Sequence, residues 1–336
     1  MTCLLPRRFD DSLALGHVVS YVFPRRSTSG SHPHFARNAV DDEERTVNRD
    51  GRDLSRRKAL GMLGGALVTA AIRPDVALAL DAPPVAQRLK QSVSRWCYSH
   101  IPLDDLCDAA KTIGYKSVEL LDEKDWLVPA KHGLVCAMAN GFGTIPVGFN
   151  DPANHDKLVA DGSAMIPKAA VAGVPNIVCF SGNRRGMSDA DGIANCIAGL
   201  KRLTPIAEQH GVTLCLEVLN SKVDHKDYQA DHTAWAVKVI EGVASPRLKI
   251  LYDIYHMQVM EGDVIATMKA NIEHIGHVHT GGVPGRAEID DTQELNYRRV
   301  MESLADLGFA GYVGQEFVPR RDPLTSLKQA FDICDV

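Results

Sequence analysis

Several motifs that identify common enzyme classes are missing from this 336-residue chain. It has no P-loop, no HExxH helix and no GxSxG turn. The segment GFGTIPVG, residues 141–148, follows a predicted strand but lacks the glycine spacing of a dinucleotide-binding turn. The sequence therefore offers little support for nucleotide-dependent, zinc-protease or serine-hydrolase chemistry.

Paired cysteines are also missing. Cys3 precedes seven other cysteines, an odd number without any CxxC or metal-finger spacing, and most of the seven lie within apolar runs. We interpret them as small core residues rather than as a disulfide framework.

No run is apolar enough for a confident transmembrane span; the apolar stretch over residues 59–72 has about 14 residues. It follows Arg56 and Arg57 and precedes the small-residue triplet at 77–79. This order is typical of an export signal, and the paired arginines indicate the twin-arginine route. We therefore predict a signal segment over residues 51–79, with an amphipathic helix as the alternative.

Residues 1–50 show no helical or strand-like spacing of apolar residues. This predicts either a disordered extension or a chain start that was assigned too far upstream. Residues 80–336 then form one large domain, in the periplasm or secreted, or in the cytoplasm if the signal is not used. Its 25 Lys and Arg against 33 Asp and Glu leave a net charge of −8. This charge argues against nucleic-acid binding, and no stable membrane insertion is expected after signal removal.

From residue 92 onward, short apolar runs alternate with amphipathic ones. The predicted strands are eight: 92–99, 117–121, 135–141, 176–182, 213–220, 249–256, 275–282 and 311–317. Helical patterns lie between them, and glycines such as Gly114 and Gly211 mark the helix ends. Eight strand–helix units predict an α/β fold, a single (β/α)₈ TIM barrel, rather than a doubly wound sheet.

Four polar residues stand in otherwise apolar strands near the predicted carboxyl ends, where a barrel builds its active site. They are Glu217, Asp253, His279 and Glu316. Three negative charges facing one axis repel each other unless a cation lies among them. We therefore predict that these four residues bind a divalent metal, Mn²⁺ or Mg²⁺, with Co²⁺ as a further candidate.

The segments LEVLN, YDIYHMQVMEGD, HVHTGGVPGRAEI, ELNY and GYVGQEF, in that order, resemble the hydroxypyruvate isomerase branch of the xylose-isomerase-like barrel superfamily. Ketose 3-epimerases belong to the same superfamily. The resemblance covers roughly residue 92 to the end and is strongest over 214–317. It implies that Glu217 and Glu316 also act as an acid/base pair. Isomerases of this kind often carry glutamine where this chain has His279, so isomerisation and epimerisation both remain open.

The implied reaction moves a proton between neighbouring carbons of a small hydroxy-carbonyl or sugar substrate through an enediolate. We predict that His256 and Arg286 bind the substrate, with a surface-loop histidine and a solvated loop charge as the alternatives. Glu119 lines the pocket or forms a salt bridge, and His277 supports the site or packs below it.

Trp96 and Phe142 form an apolar wall or belong to the core.

The competing functions are a ketose 3-epimerase and, from another class, an exported barrel that binds a sugar without converting it. A DNA-repair endonuclease would need more metal ligands and a basic groove. Members of the superfamily often form dimers or tetramers, so a homo-oligomer is also expected.

Overall fold

The structure, a computed structural model, describes residues 87–336. The predicted extension at 1–50 and signal segment at 51–79 lie outside the described residues. Among the described helices, none is long and apolar enough to cross a membrane.

Seven parallel strands form one sheet within the described residues. They are β1 (Lys90–Ser94), β2 (Ser117–Glu119), β3 (Asn176–Cys179), β4 (Thr213–Glu217), β5 (Leu248–Asp253), β6 (Ile275–Thr280) and β7 (Tyr312–Gln315). Their order is β2-β1-β7-β6-β5-β4-β3, so β2 and β3 are the two edges. Nearly every strand residue is buried, as parallel sheets covered by helices require.

Residues 135–139 connect these two edges and close the sheet into a barrel. Ala139 is bridged to both neighbouring strand regions. The Ala137 N–H donates to Ser117 Oγ (2.9 Å), and the Ala137 carbonyl accepts from Asn176 Nδ2 (2.8 Å). The strand predicted at 135–141 is thus present only as a bridged segment, because side chains satisfy the backbone groups at its centre. The predicted barrel fold is confirmed, with seven regular strands and one bridged position.

Helices surround this barrel. They are α1 (Leu103–Ile113), α2 (Val128–Lys131), α3 (His155–Val171), α4 (Asp189–Lys201), α5 (Thr204–His210), α6 (Thr233–Val243), α7 (Ile254–Met260), α8 (Val264–Asn271), α9 (Tyr297–Asp306) and α10 (Pro323–Cys334). Between β3 and β4 the chain forms two successive helices, α4 and α5. Pro205 lies in the first turn of α5, where its missing backbone N–H costs no intrahelical hydrogen bond, so it favours the start of a new helix here.

The ends of two helices and the bounds of the first strand can be compared with the sequence-based predictions. Gly114 and Gly211 end α1 and α5 with φ of 123° and 70°, conformations that glycine adopts without a side-chain clash. The predicted first strand, 92–99, begins two residues earlier and ends at Ser94, because a 3-10 turn over Arg95–Tyr98 replaces its second half.

The barrel interior follows the two-residue period of the strands. A small apolar cluster of Met138, Val178, Cys215 and Leu251 is separate from the larger core between sheet and helices. Two residues beyond Cys215 and Leu251, on the same strand faces, come the last residues of β4 and β5. The interior therefore changes from apolar to ionisable toward the carboxyl ends of the strands.

Candidate metal and catalytic site

Four ionisable side chains converge at the carboxyl ends of β4 to β7. Glu217 and Asp253 end β4 and β5, His279 is the second-last residue of β6, and Glu316 follows β7. One ligand atom from each lies within 4.8 Å of those of the others, and all four residues are buried. The structure therefore brings the whole predicted ligand set together.

The imidazole of His279 presents its Nδ1 atom to these carboxylates. Nδ1 lies 2.6 Å from Glu316 Oε2 and 3.7 Å from Glu217 Oε1, yet it makes no well-aligned hydrogen bond and is shielded from solvent. Burial alone lowers the pKa of His279, but Glu316 and its neighbours outweigh burial and raise that pKa. The surroundings thus favour a positive charge at Nδ1. Three carboxylates and this nitrogen fit Mg²⁺ or Mn²⁺.

Glu119, at the end of β2, supports His279 from below. Its Oε1 atom accepts from His279 Nε2 (2.8 Å) and from His277 Nε2 (2.9 Å), and all three side chains are completely buried. Burial raises the pKa of Glu119, but the two histidines outweigh it and lower the pKa to about 2. An anionic Glu119 fixes the proton of His279 on Nε2, which leaves Nδ1 for a metal.

Arg286 enters the cluster from the loop after β6. Its Nη2 atom donates to Asp253 Oδ2 (2.7 Å) and to Glu316 Oε2 (2.5 Å). The guanidinium carbon lies 5.0 Å from the centre of the Tyr255 ring and 5.9 Å from that of Trp96, within cation–π range. The Arg286 side chain is 11% exposed and contacts two predicted metal ligands, so the alternative of a solvated loop charge is wrong.

His256 is buried in the first turn of α7, so the alternative of a surface histidine is also wrong. Its backbone N–H donates to Asp253 Oδ1 (3.1 Å), which makes Asp253 the N-cap of the helix. Its Nε2 atom lies 2.7 Å from Arg286 Nη1. Burial, together with the charge of Arg286, lowers the pKa of His256 well below its ordinary value, so the ring is neutral.

The two glutamates of the cluster have pKa values that are shifted in opposite directions. Burial, with the charges of Glu316 and Asp253, raises the pKa of Glu217 to about 7. For Glu316, burial is outweighed by His279 and Arg286, and the pKa is lowered. Divergent pKa values in one site are typical of an acid/base pair.

The indole of Trp96 is part of this site. Its Nε1–H donates to Glu316 Oε1 at 2.5 Å, and Ser94 Oγ lies 3.5 Å from the same atom. We predicted Trp96 as an apolar wall or a core residue and did not predict this bond, for which the sequence carries no signal. Phe142 belongs to the core, where its ring packs edge-on against Phe149 with 6.0 Å between centroids.

The fold and the cluster define a TIM barrel with a candidate metal site at the carboxyl ends of its strands, and comparison with known proteins identifies its family. The chain belongs to the xylose isomerase-like TIM barrel family, whose model matches residues 107–334. It is similar to hydroxypyruvate isomerase of Escherichia coli, 31% identical over 159 residues, which cover 47% of this chain and 61% of that protein. It is also similar to 2-oxo-tetronate isomerase of Haemophilus influenzae, 26% identical over 246 residues, or 68% of this chain and 93% of that protein.

Coverage is shorter for a further relative with higher identity. A relative from Xenopus laevis is 34% identical over 131 residues, 39% of this chain, and the chain spans 48% of that relative's length. Solved structures show the same fold. An AP endonuclease, family 2, from Brucella melitensis has a TM-score of 0.64 and 22% identity, covering 71% of this chain and 97% of its own. D-psicose 3-epimerase from Clostridium cellulolyticum has a TM-score of 0.60 and 16% sequence identity, and the match covers 74% of this chain and 100% of that chain.

Proposed function

We propose that this chain is a metal-dependent intramolecular isomerase of the hydroxypyruvate or aldose–ketose type, acting through an enediolate with Glu217 and Glu316 as its acid/base pair. The observation that carries the proposal is the meeting of these two buried glutamates around His279, with opposite pKa shifts. The relatives named hydroxypyruvate isomerase and 2-oxo-tetronate isomerase support the reaction class.

Glu217, Asp253, His279 and Glu316 would hold the metal, for which Mn²⁺ or Mg²⁺ is preferred and Co²⁺ is a further candidate. A bound divalent ion stabilises the negative charge that develops on substrate oxygens during enolisation.

The protein's own groups divide the proton transfers. One of the two glutamates, Glu217 or Glu316, accepts the proton from the carbon beside the carbonyl, and the same glutamate or the other one, re-protonated from solvent between turnovers, returns a proton to the neighbouring carbon. The Nε1–H of Trp96 keeps Glu316 oriented. Arg286 and His256 bind substrate oxygens at the edge of the cluster.

The test is proton exchange in D₂O. The full chain, loaded with Mg²⁺ so that the spectra stay sharp, is incubated with hydroxypyruvate and with a panel of ketoses, and deuterium incorporation and products are followed by NMR. We expect product from hydroxypyruvate, abolished in Glu217→Gln and in Glu316→Gln. Glu123→Gln, which removes only an exposed ion pair with Lys168, is the matched control and should retain activity.

The other outcomes separate the alternatives. Inversion at C3 of a ketose, with hydroxypyruvate unchanged, would identify a ketose 3-epimerase with the same metal site. Absence of exchange with every substrate, despite bound metal, would contradict enolisation and leave the sugar-binding barrel.

We also propose export of the chain by the twin-arginine route, on the basis of Arg56, Arg57 and the apolar run that follows. Expression in a bacterium with this route should give a periplasmic protein that begins at Leu80. Replacement of both arginines by lysine should retain the uncleaved chain in the cytoplasm. A cytoplasmic, uncleaved protein without any substitution would contradict the proposal.

A further inference from the structure

The side-chain amide of Asn220 has a determined orientation. Its Oδ1 atom accepts from the backbone N–H groups of Val223 and Asp224, both at 3.0 Å, and its Nδ2 atom donates to Asp224 Oδ2 at 2.7 Å. A flipped amide would place its NH₂ group against two N–H donors and its oxygen against a carboxylate. The backbone of this loop therefore decides which way the NH₂ group points.

That NH₂ group points at His256. Nδ2 of Asn220 lies 2.7 Å from His256 Nδ1, and the backbone N–H of Asn220 donates to the same nitrogen at 3.2 Å. A backbone N–H and an amide NH₂ group can only donate, so these two contacts together favour an accepting Nδ1 on His256. A neutral imidazole with an accepting Nδ1 carries its proton on Nε2, and a doubly protonated ring would set its Nδ1–H against both donors.

The Nε2–H group of this tautomer faces another donor. Nε2 of His256 lies 2.7 Å from Nη1 of Arg286, which has only N–H groups to offer. The second terminal nitrogen of Arg286 is already bonded to Asp253 and Glu316. One oxygen atom that lies within hydrogen-bond distance of both nitrogens can accept from the two donors at once. This point lies beside the glutamates, where a reacting carbonyl compound would sit.

We propose that Asn220 holds His256 as the Nε2–H tautomer, so that His256 and Arg286 donate together to one oxygen of the substrate. Asn220 is then a positioning residue that acts through His256. His256 binds and stabilises an oxygen but carries no proton between carbons, a task left to Glu217 and Glu316. The assignment of the oxygen to the substrate rests on the proposed function, whereas the tautomer does not.

The tautomer is measured directly on the metal-free full chain. With ¹⁵N-labelled histidine, long-range ¹H–¹⁵N correlation spectra distinguish the protonated from the bare ring nitrogen, and His256→Gln identifies the His256 signals. We expect a proton on Nε2 alone. Asn220→Asp replaces the NH₂ donor by an acceptor and should move the proton to Nδ1.

Asn271→Asp is the matched control, because Asn271 lies at the end of α8 and bonds only locally to the Thr267 carbonyl. It should leave the His256 signals unchanged. A proton on Nδ1 in the unsubstituted chain, or an unchanged pattern in a folded Asn220→Asp variant, would overturn the proposal. If Asn220→Asp does not fold, the spectrum of the unsubstituted chain still decides the tautomer.

Kinetics test the role of the Nε2–H group. His256→Gln keeps an N–H donor near the position of Nε2, whereas His256→Met has none. We expect kcat of the glutamine variant within about tenfold of the unsubstituted enzyme, and kcat of the methionine variant lower by about 10²–10³, the usual effect of losing a donor to a developing oxyanion. Equal, large losses in both variants would mean that His256 transfers a proton.

The two proposals fail separately. If the unsubstituted chain turns over none of the substrates, the proposed isomerase fails while the NMR spectra still test the Asn220–His256 assignment. If turnover is present but Nε2 carries no proton, the isomerase stands and this inference fails.

Discussion

The two halves of the barrel contribute differently to the site. Strands β4 to β7 are joined by parallel ladders, with one register shift between Ile250 and Leu251 of β5, and provide Glu217, Asp253, His279 and Glu316 from successive strand ends. The other half has a three-residue β2, a four-residue β3 and a bridged segment between them. Beyond that shift the pairing of β5 with β6 is regular through Asp253 and His279, so the ladders fix the relative heights of the residues at the strand ends, which metal ligands require.

The first half contributes by supporting the second. Glu119 bonds to His279, and Trp96 donates to Glu316, so each contacts a predicted ligand without belonging to the four-residue set. This division predicts graded effects. Substitutions in the second half should remove the metal and the reaction, and those in the first half should weaken them.

The largest effect is expected for Asp253→Asn. The amide can still cap α7, but the loss of negative charge removes a metal ligand and a partner of Arg286. We expect loss of stoichiometric metal and a decrease in kcat/KM of about 10³ or more, measured by elemental analysis and by turnover. Asp322→Asn, the same change at the N-cap of α10, is the control and should keep both. Retained metal and turnover in Asp253→Asn would contradict the assignment of the ligands.

A smaller effect is expected for Glu119→Gln. The neutral amide is a weaker acceptor for His279 Nε2–H and no longer fixes the imidazole electrostatically. Metal affinity should decrease by about 10- to 100-fold, measured by calorimetric titration. Glu123→Gln changes an exposed carboxylate four residues later and should bind metal normally. Equal affinities in the two variants would show that Glu119 serves only the folding of the barrel.

Trp96→Phe should have a still smaller effect. It removes the N–H donor to Glu316 Oε1 but keeps an aromatic ring near Arg286. A hydrogen bond to a charged group is worth about 1.5–3 kcal/mol, so we expect kcat to decrease by about tenfold or somewhat more with metal retained. Trp126→Phe loses an indole bond to the Leu121 carbonyl away from the cluster, and should lower stability while leaving kcat unchanged. Unchanged kcat in Trp96→Phe would assign Trp96 to packing alone.

The same comparison explains what could be predicted from the sequence. Glu217, Asp253, His279 and Glu316 stand out because each interrupts an apolar strand near its end, and a barrel places such ends together. The bond between Glu119 and His279 could not be predicted, because it joins side chains that are 160 residues apart and depends on closure of the barrel.

Two loop and edge conformations could not be predicted from the sequence either. Arg286 reaches the carboxylates from a loop residue with φ of 53°, a backbone conformation that no hydrophobic period indicates. The bridged segment at 135–139 has the composition of a strand, but its centre bonds to the side chains of Ser117 and Asn176. Contacts between residues far apart in the sequence determine the bridged segment and the position of Arg286, and such contacts cannot be identified from a single sequence.

The smallest effect is expected at the surface of the first half, where His132 contacts Asp104 and Asp108 of α1 at 3.0 and 2.5 Å. Hydrogen bonds to these carboxylates raise the pKa of His132 above its ordinary value. A group whose pKa is raised by folding stabilises the protein fully below its unfolded pKa, about 6.5, and loses that contribution as pH rises through the folded pKa. The free energy of unfolding should therefore exceed that of His132→Gln by more at pH 5.5 than at pH 8.5.

Urea denaturation of both proteins at the two pH values measures this difference. Repeating the comparison in an Asp104→Asn, Asp108→Asn background should abolish the pH dependence, because the raised pKa depends on these carboxylates. Turnover should be unaffected throughout, since the contact joins α1 to the end of α2 on the outer surface. A pH-independent difference would mean that His132 stabilises the helix pair by packing and not by charge. A loss of turnover would mean that the outer helices of the first half influence the site, and the division between the two halves would be wrong.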